Sequence, residues 1–250
     1  MIALITGATA GIGKATAELF AKNGYNIIIT GRRKERLDDF SAHLKTTYKV
    51  DVLSLSFDVR KLAEVEAAIA SIPADWKKIN VLVNNAGLAV GLGPIQEGIV
   101  DDWERMIDTN IKGLLYITRT IAPIMIENGF GHIVNIGSIA GKEVYANGNV
   151  YCATKHAVDA LNKAMRIDML PHGIKVTGIH PGMVETEFSI VRYKGDEERA
   201  KNVYKGLQPL TAEDIAETIY WAASRPAHVN ISDVIITPTV QANATNTIRK

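Results

Sequence analysis

A doubly wound α/β domain with a parallel sheet is predicted by three features of the chain. Seven short runs are rich in Ile, Val and Leu, longer stretches of helical periodicity separate them, and no Gly/Ser- or Pro-rich linker divides the 250 residues. Apolar strands that alternate with helices belong to a parallel sheet covered on both faces. A single domain over 1–250 with a seven-stranded sheet is therefore expected. The elements read in order as strand 2–6 (IALIT), helix 13–24, strand 26–30 (NIIIT), helix 33–45, strand 52–57 (VLSLSF) and helix 60–70. Strand 80–85 (NVLVNN), a long helix over about 101–129, strand 131–138 (GHIVNIGS), a second long helix over about 150–171 and strand 175–181 (KVTGIHP) follow. Residues 182–210 break the rhythm before helix 211–224 and strand 233–238 (DVIITP). An insertion after a strand's C-terminal end lies where open α/β sheets bind ligands, so 182–210 is expected to form a substrate lid. Its run 194–201 (KGDEERAK) reads as an exposed helix with salt-bridged faces. The polar end 239–250 is expected to be frayed or docked on another subunit.

Composition narrows the function. The hydrophobic share is 47% and the aromatic share 6%, which suits an aliphatic core. A net charge of +1 gives no reason to expect nucleic acid or an anionic membrane as partner. The one cysteine, Cys152, cannot form an intramolecular disulfide, and no apolar run approaches a membrane span. The opening MIALITGATAGIG lacks the basic start and cleavage pattern of a signal peptide. A cytoplasmic location is expected. Six scattered histidines form no metal-ligand pair, so no metal is expected.

The first strand runs straight into TGATAGIG (6–13) and a helix. Gly7, Gly11 and Gly13 allow positive φ and close backbone approach, and a helix N-terminus offers free N–H groups to a phosphate. An ordinary tight turn is the plainer alternative. The P-loop of nucleotidases is disfavoured, because Ala8 and Ala15 stand where it needs Gly and Ser or Thr. After the second strand, a dinucleotide fold that prefers NAD carries an acid for the ribose 2′-hydroxyl. Here Gly31 is followed by Arg32 and Arg33. Arginine forks match phosphate geometry, so NADP is the expected cofactor, although arginines that open a surface helix are common.

Tyr151 and Lys155 lie four residues apart on a helix and share a face, a spacing that surface helices also produce by chance. Taken with TGATAGIG, NNAG (84–87), DTNIKG (108–113) and IGS (136–138), in that order, the YCATK stretch resembles the short-chain dehydrogenase/reductase family, whose fold is a Rossmann domain. The segments PGMVETEFSIVRYKGDEERA and PAHVNISDVIITPTVQ further resemble its NADP-dependent 3-hydroxy acid dehydrogenases that also oxidise serine and allo-threonine. The resemblance implies a catalytic tetrad of Asn110, Ser138, Tyr151 and Lys155, with Asn110 holding a proton-relaying water. It implies cofactor contacts at Gly7, Thr9, Gly11, Ile12, Gly13, Arg32, Arg33, Asp58, Val59, Asn85, Gly87, Tyr151, Lys155, Pro181, Gly182, Val184 and Thr186. Ala10 departs from the many NADP-preferring members that carry a basic residue there. Asp58 reads equally as a helix N-cap.

The chemistry suits the tetrad. Oxidising an alcohol removes the hydroxyl proton as hydride leaves carbon, and a phenol becomes a usable base only when a cation lowers its pKa. Ser138 is placed to hold the substrate oxygen. A hydroxy acid also carries a carboxylate, for which Arg192 in the expected lid is the natural partner or else a solvated surface charge. The expected reaction is hydride transfer between NADP(H) and C3 of a small 3-hydroxy acid or hydroxy amino acid. The alternatives are a reductase of another ketone, sugar or acyl thioester, which needs no lid cation, and a non-catalytic NADP-binding regulator. The family implies pairing through the two long helices into a homotetramer.

Overall fold

The computed structural model describes residues 1–250. Its strands are β1 Ile2–Ile5, β2 Asn26–Gly31, β3 Val52–Ser56, β4 Ile79–Asn84, β5 His132–Ile136, β6 Lys175–Pro181 and β7 Asp233–Ile236. The helices are α1 Gly11–Lys22, α2 Lys34–Tyr48, α3 Leu62–Ala70, α4 Val100–Ile107, α5 Leu114–Asn128, α6 Asn149–Met169, α7 Phe188–Arg192, α8 Glu197–Asn202 and α9 Ala212–Ala223. All seven expected strands form, and they make one parallel sheet in the order β3-β2-β1-β4-β5-β6-β7.

Alternation along each strand sends side chains to two cores. Ala3, Ile5, Ile27 and Ile29 pack with Phe20 of α1, Leu37 of α2 and Ile215 of α9. Ile2, Leu4, Ile28 and Leu82 pack with Val65 of α3, Ile117 of α5 and Val158 of α6. Because both faces are covered, these strands carry no polar face, which is why they read as unbroken apolar runs. From β1 the chain winds outward to β3, then returns to β4 on the other side. The resulting switch point between β1 and β4 opens a crevice at the C-terminal ends of the strands.

Two expectations change. The helix expected over 101–129 is divided into α4 and α5 by a π-helical stretch, Asp108–Gly113, that holds Asn110. The polar end is not frayed but docked on its own chain. Arg249 donates to Lys205 O at 2.7 Å, Lys250 N to Gly206 O at 2.8 Å, and Met183 N to Gln241 Oε1 at 2.8 Å. Backbone partners inside 182–210 thus hold it down. The exposed helix expected over 194–201 forms as α8, with Asp196 capping Arg199 N and a surface Lys201–Glu197 pair. No helix is long and apolar enough to cross a membrane.

Candidate active site

A cleft of about 740 Å³ opens over the switch point. Every site residue expected from the sequence lines it except Gly13 and Asn110, which support it from behind. The glycine turn forms its floor. Gly7 and Gly11 take φ of +66° and +52°, in the left-handed region that disfavours a Cβ. A Cβ on Gly13 would lie 2.5 Å from Gly7 O. The Asn85 amide closes the turn by donating to Thr6 O at 2.8 Å and Gly7 O at 3.2 Å. Helix α1 starts after Ala10 with no side-chain cap and no acid in its first turn. Its N–H groups and positive dipole end therefore stay available, a cradle that fits a dinucleotide's phosphates.

At the far end of the cleft, Arg33 donates to Thr9 Oγ1 at 2.7 Å through Nη2 and to Glu187 Oε2 at 3.1 Å through Nη1. Arg32 lies 3.9 Å from the Asp58 carboxylate and is largely exposed. Asp58 is not the N-cap of α3, because Lys61 takes that position. Its carboxylate instead receives Arg60 Nε and Nη2 at 2.9 and 2.6 Å. Burial pushes the Asp58 carboxyl up, but the hydrogen bonds from Arg60 prevail and hold it below the ordinary range.

At the near end, α6 presents Tyr151 and Lys155 toward Ser138, which follows β5 in extended conformation and caps the turn Ile139–Gly141 by accepting from Ala140 N. Lys155 Nζ donates to Ile136 O at 2.9 Å and sits 6.0 Å from the Tyr151 ring centre. Burial lowers the Lys155 ammonium to about 8. Burial also pushes the Tyr151 phenol up and the neighbouring Tyr145 adds to this, whereas Ser138 and Arg192 pull it down. Arg192 is thus a cation that eases ionisation of Tyr151 here, with the Lys155 ammonium beside the same ring. Asn110 joins through the backbone of Leu88: its Oδ1 accepts from Leu88 N and its Nδ2 donates to Leu88 O, both at 2.8 Å. A further bond to Thr154 Oγ1 at 3.0 Å occupies the second amide hydrogen. No side-chain donor of Asn110 remains for a water.

Arg192, in α7, stacks over Tyr145 and Tyr151 with its guanidinium carbon 5.3 and 5.6 Å from the ring centres. Its Nη2 donates to Tyr145 Oη at 2.8 Å, its buried Nε has no partner, and it forms no ion pair. Lys194 differs, with Nζ 2.7 Å from the buried Asp102 carboxylate. Sequence reasoning missed Tyr145, Glu187 and Phe188, whose ring centre is 5.7 Å from that of Tyr151. Nothing in their local sequence marks them, since each acts through a residue remote in the chain.

Likeness to known proteins agrees with this geometry. Residues 1–197 match the family model described as short chain dehydrogenase. The chain is 51% identical over 245 residues to the NADP-dependent 3-hydroxy acid dehydrogenase YdfG of Salmonella typhi, covering 98% of this chain and 97% of that protein. It is 44% identical to the serine 3-dehydrogenase of Agrobacterium fabrum over 241 residues, covering 96% and 95%. Among solved structures, the closed form of serine dehydrogenase complexed with NADP+ superposes with a TM-score of 0.93 at 45% identity over the whole of both chains. Serine dehydrogenase from Escherichia coli gives 0.84 at 42% identity, covering 97% of this chain and 100% of that one. With its parallel sheet, glycine turn and the cluster of Ser138, Tyr151 and Lys155, the chain belongs to the short-chain dehydrogenase family.

Proposed function

We propose that this chain is an NADP-dependent oxidoreductase that moves a hydride between NADP(H) and C3 of a small 3-hydroxy acid or hydroxy amino acid, such as serine, allo-threonine or 3-hydroxypropionate. The observation that carries the substrate class is Arg192, a cation without an acidic partner that stacks on the Tyr151 ring. A guanidinium left unpaired beside a catalytic phenol is matched by a substrate carboxylate, which takes two parallel hydrogen bonds. The names of the two relatives support the same class.

In this reading the turn from Gly7 to Gly13, with Thr9 and Ile12, holds the pyrophosphate. Arg32 and Arg33 hold the 2′-phosphate, and Asp58 and Val59 flank the adenine. Asn85 and Gly87 run along the cofactor, while Pro181, Gly182, Val184 and Thr186 hold the carboxamide end. When bound, the cofactor accepts or returns a hydride at C4 of its nicotinamide. Tyr151 Oη takes the hydroxyl proton in oxidation, Ser138 Oγ orients the reacting oxygen, and Lys155 and Arg192 supply the positive charge that favours phenolate. Asn110 fixes Leu88 and Thr154 beneath them.

Residues 182–210 serve as the substrate lid in the same reading. They carry Arg192 and Phe188, and they are tied across the cleft by Gly91 N to Arg192 O at 3.0 Å. Assembly as a homotetramer is supported by the exposed Leu115 on α5, Ile167 on α6 and Leu170 just after it, and by Ile235 on the edge strand β7. Light scattering should give the mass of four chains. A cytoplasmic location is supported by the lone thiol, Cys152, and is checked by cell fractionation.

Arg192→Leu tests the substrate class. Absorbance at 340 nm should show KM for L-serine and 3-hydroxypropionate raised more than about tenfold, with the KM of a neutral alcohol little affected even where kcat falls for both. An equal rise in KM for acid and neutral substrates would remove the hydroxy acid assignment.

A further inference from the structure

No acid stands at the end of β2, where Gly31 is followed by Arg32 and Arg33, yet the structure brings one to the same place from the other side of the cleft. Glu187 lies between Thr186, whose Cβ would be 3.2 Å from a Cβ on Gly11, and Phe188, which packs on Tyr151. Its carboxylate reaches Arg33 Nη1 at 3.1 Å and Arg36 Nη1 at 3.0 Å. All three side chains are about half exposed, so the cluster sits at the mouth of the cleft and not in the core. The remaining nitrogens of Arg33 are held by Thr9 Oγ1 on the glycine turn. Arg33 therefore faces two competitors for one fork, the Glu187 carboxylate and any phosphate on the adenosine ribose.

We propose that Glu187 is a cofactor-discriminating residue, which competes with the 2′-phosphate of NADP for Arg33 and offers an acceptor to the 2′-hydroxyl of NAD. The inference rests on the reading that Arg33 holds the 2′-phosphate. An acid at the end of β2 accepts that hydroxyl in folds that prefer NAD. Glu187 supplies the same chemistry from a position more than 150 residues later in the chain. A ribose phosphate carries close to two negative charges near neutral pH, so a carboxylate on the same arginine opposes it. Across roughly 6 Å at a solvated surface that repulsion changes affinity by about tenfold. Glu187 thus narrows the preference of the protein for NADP and sustains a measurable affinity for NAD.

Dissociation constants for NADP+ and NAD+, measured by calorimetry on the full chain as wild type, Glu187→Gln and Arg33→Met, test this. Glu187→Gln should tighten NADP+ by about threefold to tenfold and weaken NAD+ several-fold, with the NADP+ gain shrinking as salt rises. Adenosine 2′,5′-bisphosphate, which lacks the nicotinamide, should show the same gain. An unchanged ratio, or weaker NADP+ binding in Glu187→Gln, overturns the inference. Arg33→Met should weaken NADP+ more than about tenfold and leave NAD+ nearly unchanged. If Arg33→Met loses nothing toward NADP+, the phosphate role of Arg33 falls first and the inference falls with it. If Arg33→Met behaves as expected and Glu187→Gln changes nothing, only the inference is lost.

Discussion

Lys155 costs the fold stability through its buried charge and serves the site. Its ammonium is 7% exposed, accepts no counter-charge and has only the Ile136 carbonyl as a hydrogen-bond partner. Burial lowers its pKa from 10.5 to about 8. Between these two values the unfolded chain holds a proton that the folded chain has released, so stability rises with pH across that window. Below pH 8 the folded protein bears the full cost of the buried charge, on the order of 3 kcal/mol. Lys155→Met should therefore raise the unfolding temperature at pH 7 while abolishing turnover, and its advantage should shrink between pH 8 and 10.5. Thermal unfolding of both proteins at pH 7 and pH 10 measures this. A lower unfolding temperature at pH 7 would mean that the bond to Ile136 O outweighs the burial of charge.

At the scale of elements, the segment carrying α7 is held by a latch. Asp102 of α4 is 5% exposed and receives Lys194 Nζ at 2.7 Å, and Gly91 N fixes the carbonyl of Arg192 two residues earlier. Removing one partner of a buried ion pair leaves the other charge without compensation, and Asp102 is the buried one. Lys194→Met should raise KM for a hydroxy acid several-fold through misplacement of Arg192, with the affinity for NADP+ unchanged and Lys194→Arg close to wild type. Steady-state kinetics with cofactor titration checks this, and parallel loss of cofactor affinity would count against a local latch. Such a pair spans 92 positions of sequence, which is why Lys194 alone reads as a surface charge. The strands were legible because burial on both faces forces unbroken apolar runs such as Ile27 to Ile29. The glycine turn, the Tyr151–Lys155 spacing and the arginines after β2 were legible because their chemistry is local. The π-helical break at Asn110 was not, since DTNIKG holds no proline and the bonds that favour the break come from Leu88 and Thr154. The docking of 239–250 was hidden for a related reason, as most of its anchors are backbone groups that carry no residue identity.

Across the whole molecule, polar groups join apolar packing in fixing the position of α6 on the sheet. Tyr151, Lys155, Asp159 and Asn162 form one stripe along its inner face. Asp159 meets His180 and Asp233 in a cluster of metal-ligating types, but the Lys142 ammonium lies among them, 2.6 Å from Asp159 and bonded to Asp233, where it supplies the positive charge itself. Beside it an amide ladder crosses the core: Asn84 donates to Asn135 Oδ1 at 2.9 Å, and Asn135 donates to Asn162 Oδ1 at 3.0 Å. The ladder links β4, β5 and α6 directly beneath the cleft. Asn135 is fully buried, so Asn135→Leu strands a donor of Asn84 and an acceptor of Asn162 with no water to replace the lost bonds. The expected cost is roughly 2–5 kcal/mol, seen as a lower urea midpoint, together with a fall in kcat as α6 loses its register against Ser138. Asn135→Leu combined with Asn162→Leu should cost less than the sum of the single changes, because an orphaned partner disappears with its mate. Strict additivity of the two would show that the amides act independently and that packing alone sets the register of α6.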